Sequence, residues 1–157
     1  MKTNIKNKNN KLNNYPINIS IGILIIFIDQ VVKIALINKN ISIIPNFLYL
    51  DYTQNIGGAF GIGNISFVTI FSILIIIVII LFLIREHKKI PNIMPFTLVL
   101  SGSIGNLIDR VFRGYVIDYI DINIFNFPNF NIADICIVTG VILLLYIYMI
   151  KPLIKNK

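Results

Sequence analysis

The chain has 157 residues, of which 56% are hydrophobic and only 13% are charged. Soluble domains carry about 25% charged residues, so a soluble chain of this composition would expose large apolar patches and aggregate. The net charge is +7, but the basic residues gather at the ends of apolar segments and form no stripe interleaved with aromatic residues, which excludes a nucleic-acid-binding surface. The composition therefore predicts a single-domain membrane protein.

Four apolar segments are each close to the roughly 20 residues that a transmembrane helix needs. In chain order they cover residues 17–37, 66–84, 92–111 and 131–150. We expect the Asn- and Lys-rich residues 1–16 to form a disordered tail, residues 17–151 one four-span domain, and residues 152–157 a second tail. The predicted fold class is therefore an all-α membrane protein of four transmembrane helices, with a small extracytoplasmic β/loop region after the first helix.

The lysines and arginines set the expected orientation of these spans. They are abundant before the first span, in the turn at residues 85–89 and after the last span. The only basic residues in the two longer connections, 38–65 and 112–130, are Lys39 and Arg113. Because basic residues stay on the cytoplasmic side, we expect both termini to be cytoplasmic and both longer loops to be extracytoplasmic.

Only seven residues are acidic, and four of them are expected at one depth. Asp29 lies about 12 residues into the first span, or roughly 18 Å from its start at 1.5 Å per residue. Asp109 lies near the end of the third span, Asp118 follows that span, and Asp134 lies in the first turn of the fourth. Because carboxylates are costly in or near a membrane, this grouping predicts a functional site at the outer ends of the spans.

Two polar pairs lie within the predicted spans. Asp29 and Lys33 are four residues apart and share one helix face, either as a self-contained ion pair that fixes the first span or as a support for the site. Asn106 and Asp109 share a face near the end of the third span. Since a carboxylate there opposes the helix dipole, we expect Arg110 to compensate Asp109 and Asn106 to donate a hydrogen bond to it.

The segment at residues 51–63 is too polar and glycine-rich to span a membrane. A plain loop is one interpretation of this segment. In the alternative, Gly57 and Gly58 let a substrate backbone come close, and Asn55 supplies a hydrogen-bonding side chain. The preceding residues 47–52 alternate in character and predict a short strand lying on the membrane.

Asp118 and Asp134 are the candidate reacting acids. Asp118 has apolar neighbours that disfavour its charged form, while Asn131 and Asp134 have the spacing of a capping box at the start of the fourth span. A cap alone would explain Asn131 and Asp134, but two acids whose environments favour different protonation states suit acid–base catalysis. A metal ion held by Asp118 and Asp121 would lack further ligands nearby, so neither a metal nor another cofactor is predicted.

Five ordered blocks give the chain its resemblance to a known family. They are D-x-x-x-K at Asp29 and Lys33, N-x-G-x-A-F from Asn55 to Phe60, G-N-x-x-D-R from Gly105 to Arg110, V-x-D at Val116 and Asp118, and F-N-x-A-D from Phe130 to Asp134. In this order on a four-span chain, the blocks resemble those of the lipoprotein signal peptidases, or signal peptidase II. These enzymes are aspartic proteases of the bacterial inner membrane.

The resemblance implies an activity and a set of site residues. The family removes the signal peptide from prolipoproteins whose cysteine carries a diacylglyceryl group, at the outer face of a phospholipid membrane. The resemblance makes Asp118 and Asp134 the catalytic pair. It implies Asn55, Asn106, Arg110 and Asn131 in substrate binding, and Asp29, Lys33, Asp109, Gly57 and Ala133 as supports. The alternative is a non-catalytic small transporter or channel subunit that uses Asp29, Lys33 and Asp109 as a relay.

Overall fold

The structure, a computed structural model, describes residues 2–57, 64–86, 90, 92–125 and 127–155. In chain order it contains helix α1 (Lys2–Ala35), strands β1 (Asn40–Ile44) and β2 (Leu48–Asn55), helices α2 (Ile65–Glu86) and α3 (Met94–Phe112), strand β3 (Val116–Ile122) and helix α4 (Ile132–Leu145). A π-helical turn, Tyr146–Ile150, continues α4 into the short helix α5 (Lys151–Lys155). Three residues singled out in the sequence, Gly58, Ala59 and Phe60, lie outside the described residues.

Three helices in the described part of the chain are long and apolar enough to cross a membrane. They are Tyr15–Ala35 within α1, Ile65–Glu86, and Ile132–Leu153, which joins α4 to the π-helical turn and α5. These three agree with the first, second and fourth predicted spans. The third predicted span, 92–111, corresponds to α3, a helix of 19 residues that does not belong to this apolar group.

Helix α1 begins well before the apolar segment. Residues 2–16 are helical in the structure, whereas the sequence predicts a disordered tail there. Extending an existing helix costs much less than starting one, so a helix nucleated in the apolar segment can continue into the polar residues that precede it. The part of α1 with membrane-spanning character still begins at Tyr15, close to the predicted start of the span.

The three strands form one antiparallel sheet in the order β1–β2–β3. The strand predicted at residues 47–52 is confirmed as β2, which extends to Asn55, so the interpretation of residues 51–55 as plain loop is wrong. Pairing with β3 stabilises these residues as a strand and places Thr53 opposite Asp118. Gly114, with a φ of 77°, takes the left-handed conformation that turns the chain from α3 into β3.

Helix α3 is central in the bundle and packs against α1, α2 and α4. Glycines allow its close contact with α4. A Cβ atom added to Gly102 would lie 2.2 Å from the carbonyl oxygen of Ala133, and one added to Gly140 would lie 2.6 Å from Val99 Cγ2. The chain connections bring the C-terminal ends of α1 and α3 and the N-terminal end of α4 to the sheet. We call this region the sheet end of the bundle.

Candidate active site

Two asparagine side chains join Asp118, on β3, to Asp134, in the first turn of α4. Asn131 Nδ2 donates to Asp118 Oδ1 over 2.6 Å and lies 3.1 Å from Asn106 Oδ1. Asn106 Nδ2 donates to Asp134 Oδ1 over 2.7 Å, and not to Asp109 as predicted. The two candidate acids therefore belong to one hydrogen-bonded chain, which we call the carboxyl–amide chain: Asp118, Asn131, Asn106 and Asp134.

The start of α4 fixes the position of Asp134. Asn131 Oδ1 accepts a hydrogen bond from the backbone N–H of Asp134 over 2.9 Å, and Asp134 Oδ2 accepts one from the backbone N–H of Asn131 over 3.1 Å. The predicted capping box is therefore confirmed. Both Asp134 oxygens accept hydrogen bonds at a helix N-terminus, where the helix dipole also favours a negative charge, so these contacts favour the carboxylate.

Asp118 lies in a different environment. It is only 3% exposed, and Asn55 Nδ2 donates to its Oδ2 over 2.9 Å. Burial, and next the negative charge of Asp134, raise the pKa of Asp118 to about 6, although the amides of Asn55 and Asn131 favour its anion. Asp118 therefore holds its proton at a higher pH than an ordinary aspartic acid does.

A buried ion cluster lies on the other side of the carboxyl–amide chain. Lys33 Nζ lies 2.9 Å from Asp29 Oδ2, which confirms the predicted ion pair, and 2.9 Å from Asp109 Oδ2. Asp29 Oδ1 accepts a hydrogen bond from the N–H of Ala133 over 3.1 Å, and Asp109 Oδ2 accepts one from the N–H of Ile117 over 3.1 Å. All four carboxylates that the sequence places at one depth thus belong to one connected network.

The predicted compensation of Asp109 by Arg110 is wrong. Arg113, four residues after Asp109, forms the ion pair with it, and Gln30 Nε2 donates to Asp109 Oδ1 over 3.1 Å. On a helix, neighbouring residues do not face each other, whereas residues four apart do. The spacing of Arg113 was therefore a usable sequence signal. No local signal marks Gln30, because Gly105 and Asp109, to which its Nε2 donates, lie more than 70 residues later in the chain.

Arg110 is half-buried, and its Nε atom has no hydrogen-bond partner among the described residues. The negative charges that act on this guanidinium are those of Asp134, Asp118 and Asp109, in decreasing order of strength. Since a guanidinium carries five N–H donors, Arg110 can offer donors to a ligand beside the two candidate acids.

A cavity of about 390 Å³ opens next to Asp118. Its walls are residues 53–57, at the end of β2, and Pro128 and Asn129, before α4. Gly57 N–H donates to Asn55 Oδ1 over 3.0 Å, so that Asn55 turns its Nδ2 toward Asp118. Asn55 and Gly57 therefore act together on one side of the candidate acid.

Asp121 does not share this site. Side chains three residues apart in a strand point to opposite faces of the sheet, so Asp118 and Asp121 do not converge on one ion. Asp121 is opposite Tyr49, whereas Asp118 is opposite Thr53. Among the residues that the structure describes, no group of three His, Cys, Asp or Glu side chains is arranged to hold a metal ion.

Comparisons with known proteins show which proteins this chain is similar to. Residues 21–150 match the family model described as "Signal peptidase (SPase) II". The lipoprotein signal peptidase of Staphylococcus haemolyticus (strain JCSC1435) is 38% identical over 139 residues, 82% of this chain and 88% of that protein. That of Staphylococcus aureus (strain MRSA252) is 37% identical over 137 residues, 81% of this chain and 84% of that protein. A bacterial membrane enzyme solved by the in meso method at 2.3 Å resolution has a TM-score of 0.81 and 34% identity, over 91% of this chain and 93% of that chain.

Proposed function

Because the chain belongs to the signal peptidase II family, we propose that Asp118 and Asp134 are the catalytic pair with which it removes signal peptides from prolipoproteins. The chain is a protease of the hydrolase class. In our proposal it cuts the peptide bond on the N-terminal side of a cysteine that carries a diacylglyceryl group. The observation that supports this pair is the carboxyl–amide chain, which holds both carboxyls in one hydrogen-bonded unit.

The environments of the two carboxyls suit different roles. Asp134 accepts two hydrogen bonds at the N-terminus of α4, so it begins the reaction as the anion. Asp118 is buried beside that charge, and its pKa is raised to about 6, so it keeps a proton more readily than an ordinary aspartic acid and is assigned the role of the acid. Two carboxyls that share one proton in this way supply the base and the acid that peptide hydrolysis requires.

The reaction then follows in two steps. Asp134 takes a proton from water, the water oxygen bonds to the scissile carbonyl carbon, and Asp118 gives its proton to the carbonyl oxygen. In the resulting tetrahedral intermediate, Asp134 gives its proton to the amide nitrogen and the C–N bond breaks. Asp118 takes a proton from one of the two hydroxyl groups, which leaves a carboxylic acid and a free amine and restores both side chains.

The residues around the pair act on a bound substrate in two ways, either by orienting the two carboxyls or by direct contact. Asn106 and Asn131 are 4% and 0% exposed and give their amide donors to carboxyls, so we propose that they act on substrate by holding the pair. Arg110 is half-buried and lies in the field of both carboxylates, so its guanidinium suits a substrate carbonyl oxygen. Asn55, in the wall of the cavity, suits the residues next to the scissile bond.

We further propose that α3 is a fourth span and that the sheet end is extracytoplasmic. At 1.5 Å per residue, a 19-residue helix is about 28 Å long, close to the roughly 30 Å of a hydrocarbon core. Its polar residues are tolerated because three helices surround it. Arg85, at the end of α2, and Lys151, at the start of α5, favour a cytoplasmic location for the opposite end. The pair then lies in the bacterial inner membrane next to the phospholipid that holds the lipidated cysteine.

A cleavage assay with matched substrates tests this function. The purified protein is given one prolipoprotein with and without its diacylglyceryl group, and the products are identified by mass spectrometry. We expect a single cut before the modified cysteine, and a rate at least about 10-fold lower without the lipid, because the anchor brings the scissile bond to the depth of the pair. Equal rates for the two forms would contradict the proposed substrate, and a cut elsewhere would contradict the proposed position.

A further inference from the structure

Lys33 is a buried ammonium group on α1 that the proposed mechanism does not use. It is 0% exposed. An ammonium group has three N–H donors, and the acceptors around Lys33 Nζ are Asp29 Oδ2 and Asp109 Oδ2, each at 2.9 Å, and Asn106 Oδ1 at 3.0 Å. All three donors are therefore used within the protein, and none is left for a substrate.

The two carboxylates bound to Lys33 also hold the backbone beside the catalytic pair. Asp29 accepts the N–H of Ala133, the residue before one member of the pair. Asp109 accepts the N–H of Ile117, the residue before the other member. One ammonium group on α1 thus connects the segment of α4 and the segment of β3 that carry the two reacting carboxyls.

The third acceptor connects Lys33 to the carboxyl–amide chain. Asn106 Oδ1 accepts from Lys33 and also from Asn131 Nδ2, so its oxygen is held on the side away from Asp134. This leaves Asn106 Nδ2 to donate to Asp134 Oδ1 over 2.7 Å. Because a hydrogen bond from a charged donor is roughly twice as strong as a neutral one, Lys33 contributes most to fixing this amide orientation.

We propose that Lys33 is a positioning residue that sets the separation and orientation of the two reacting carboxyls through Asp29, Asp109 and Asn106. The inference rests on the proposed function, since it requires Asp118 and Asp134 to react. The charged groups of this region are Lys33 and Asp29 on α1, Asp109 and Arg110 on α3, Arg113 after α3, Asp118 on β3 and Asp134 on α4.

The two possible roles of Lys33, as a purely structural ion-pair partner or as a positioning residue, predict different activities for a neutral double variant. Replacing both partners of a buried ion pair by neutral side chains of similar volume often leaves a protein as stable as before, whereas removing one partner leaves an uncompensated charge. If Lys33 only neutralises Asp29, the double neutral variant folds and keeps its activity. If Lys33 positions the pair, that variant folds and loses activity.

The test compares Asp29→Asn with the double variant Asp29→Asn/Lys33→Met. Both keep a side-chain oxygen at position 29 for the N–H of Ala133, and Asp109 keeps its pair with Arg113. We expect kcat for lipidated prolipoprotein to be about 10- to 100-fold lower in the double variant than in Asp29→Asn, with an unchanged KM, because displaced reacting groups cost rate more than binding.

The pH profile provides a second readout. The charge of Lys33 lowers the pKa of Asp118, the proposed acid, so its removal moves the alkaline limb of the kcat profile to higher pH in the double variant. An equal kcat and an unmoved alkaline limb in the two variants would overturn the inference.

Two further variants keep the result interpretable. If the double variant does not fold, Lys33→Arg replaces it: the charge is kept, but a planar guanidinium on a longer side chain does not match the three acceptors, so we expect a lower kcat. An unchanged kcat in Lys33→Arg would then overturn the inference. Asp118→Asn is assayed in parallel, because full activity in that variant shows that the proposed catalytic pair has failed and not the role of Lys33 alone.

Discussion

Each residue of the proposed pair is held by neutral amide donors, and the cations lie one contact further away. Asn55 and Asn131 donate to Asp118, and Asn106 donates to Asp134. A neutral amide orients a carboxyl group but leaves it able to gain a proton, whereas a directly bonded cation would keep it ionised. The arrangement therefore suits two carboxyls that must exchange a proton during each turnover.

The raised pKa of Asp118 makes a prediction about stability. Its pKa is about 6 in the folded protein and 3.8 ordinarily, so the folded state binds the proton more tightly and loses stability as the pH rises from about 4 to about 7. At 1.36 kcal/mol per pKa unit this loss is about 3 kcal/mol. Thermal unfolding in detergent should therefore show a smaller loss of stability over this pH range for Asp118→Asn than for the unchanged protein. If the stability of the two proteins changed with pH in parallel, this prediction would be contradicted.

The contact between α3 and α4 decides where the first turn of α4, and with it the proposed base, is placed. Gly102 faces the backbone of Ala133 so closely that no side chain fits between them. A Cβ atom added to Gly22, on α1, would lie 3.2 Å from Thr97 Cγ2. A small movement of the Thr97 side chain would relieve this contact. These two helical glycines therefore form a matched pair for testing the contact.

We expect Gly102→Ala to lower the free energy of unfolding by about 2 kcal/mol or more, since overpacking forces the backbones apart. The same substitution at Gly22 gains up to about 1 kcal/mol of helix propensity, which offsets its milder contact. Thermal unfolding of both variants in one detergent measures the difference. Gly102→Ala should also reduce cleavage, because the first turn of α4 moves with it. Equal stability of the two variants would contradict this account of the helix contact.

The sequence predicts helices better than strands in this protein. Long apolar runs identify three membrane-length helices, and the local spacing of Asn131 and Asp134 predicts the capping box. Strand β3 carries no local signal of its pairing, because its partner β2 lies more than 60 residues earlier in the chain. The contact of Lys33 with Asp109 joins two helices and is invisible to spacing rules for the same reason.

At the scale of the whole molecule, an apolar lipid-facing surface surrounds one polar network. Large apolar side chains of α2, such as Phe67, Val78 and Ile84, are more than 60% exposed, as lipid contact requires. The acidic groups Asp29, Asp109, Asp118 and Asp134 converge at the sheet end. The composition predicts this separation, since a chain with few charges has little polar surface away from its site.

The central claim, that Asp118 and Asp134 act as a pair, is tested most directly by the cleavage rate of lipidated prolipoprotein for Asp118→Asn and Asp134→Asn. The matched control is Asp121→Asn, in the same strand as Asp118 but outside the carboxyl–amide chain. We predict that each variant of the pair, purified in folded form, falls to the background rate and that the control cleaves at nearly the unchanged rate. Cleavage at the unchanged rate by either variant of the pair would contradict the claim.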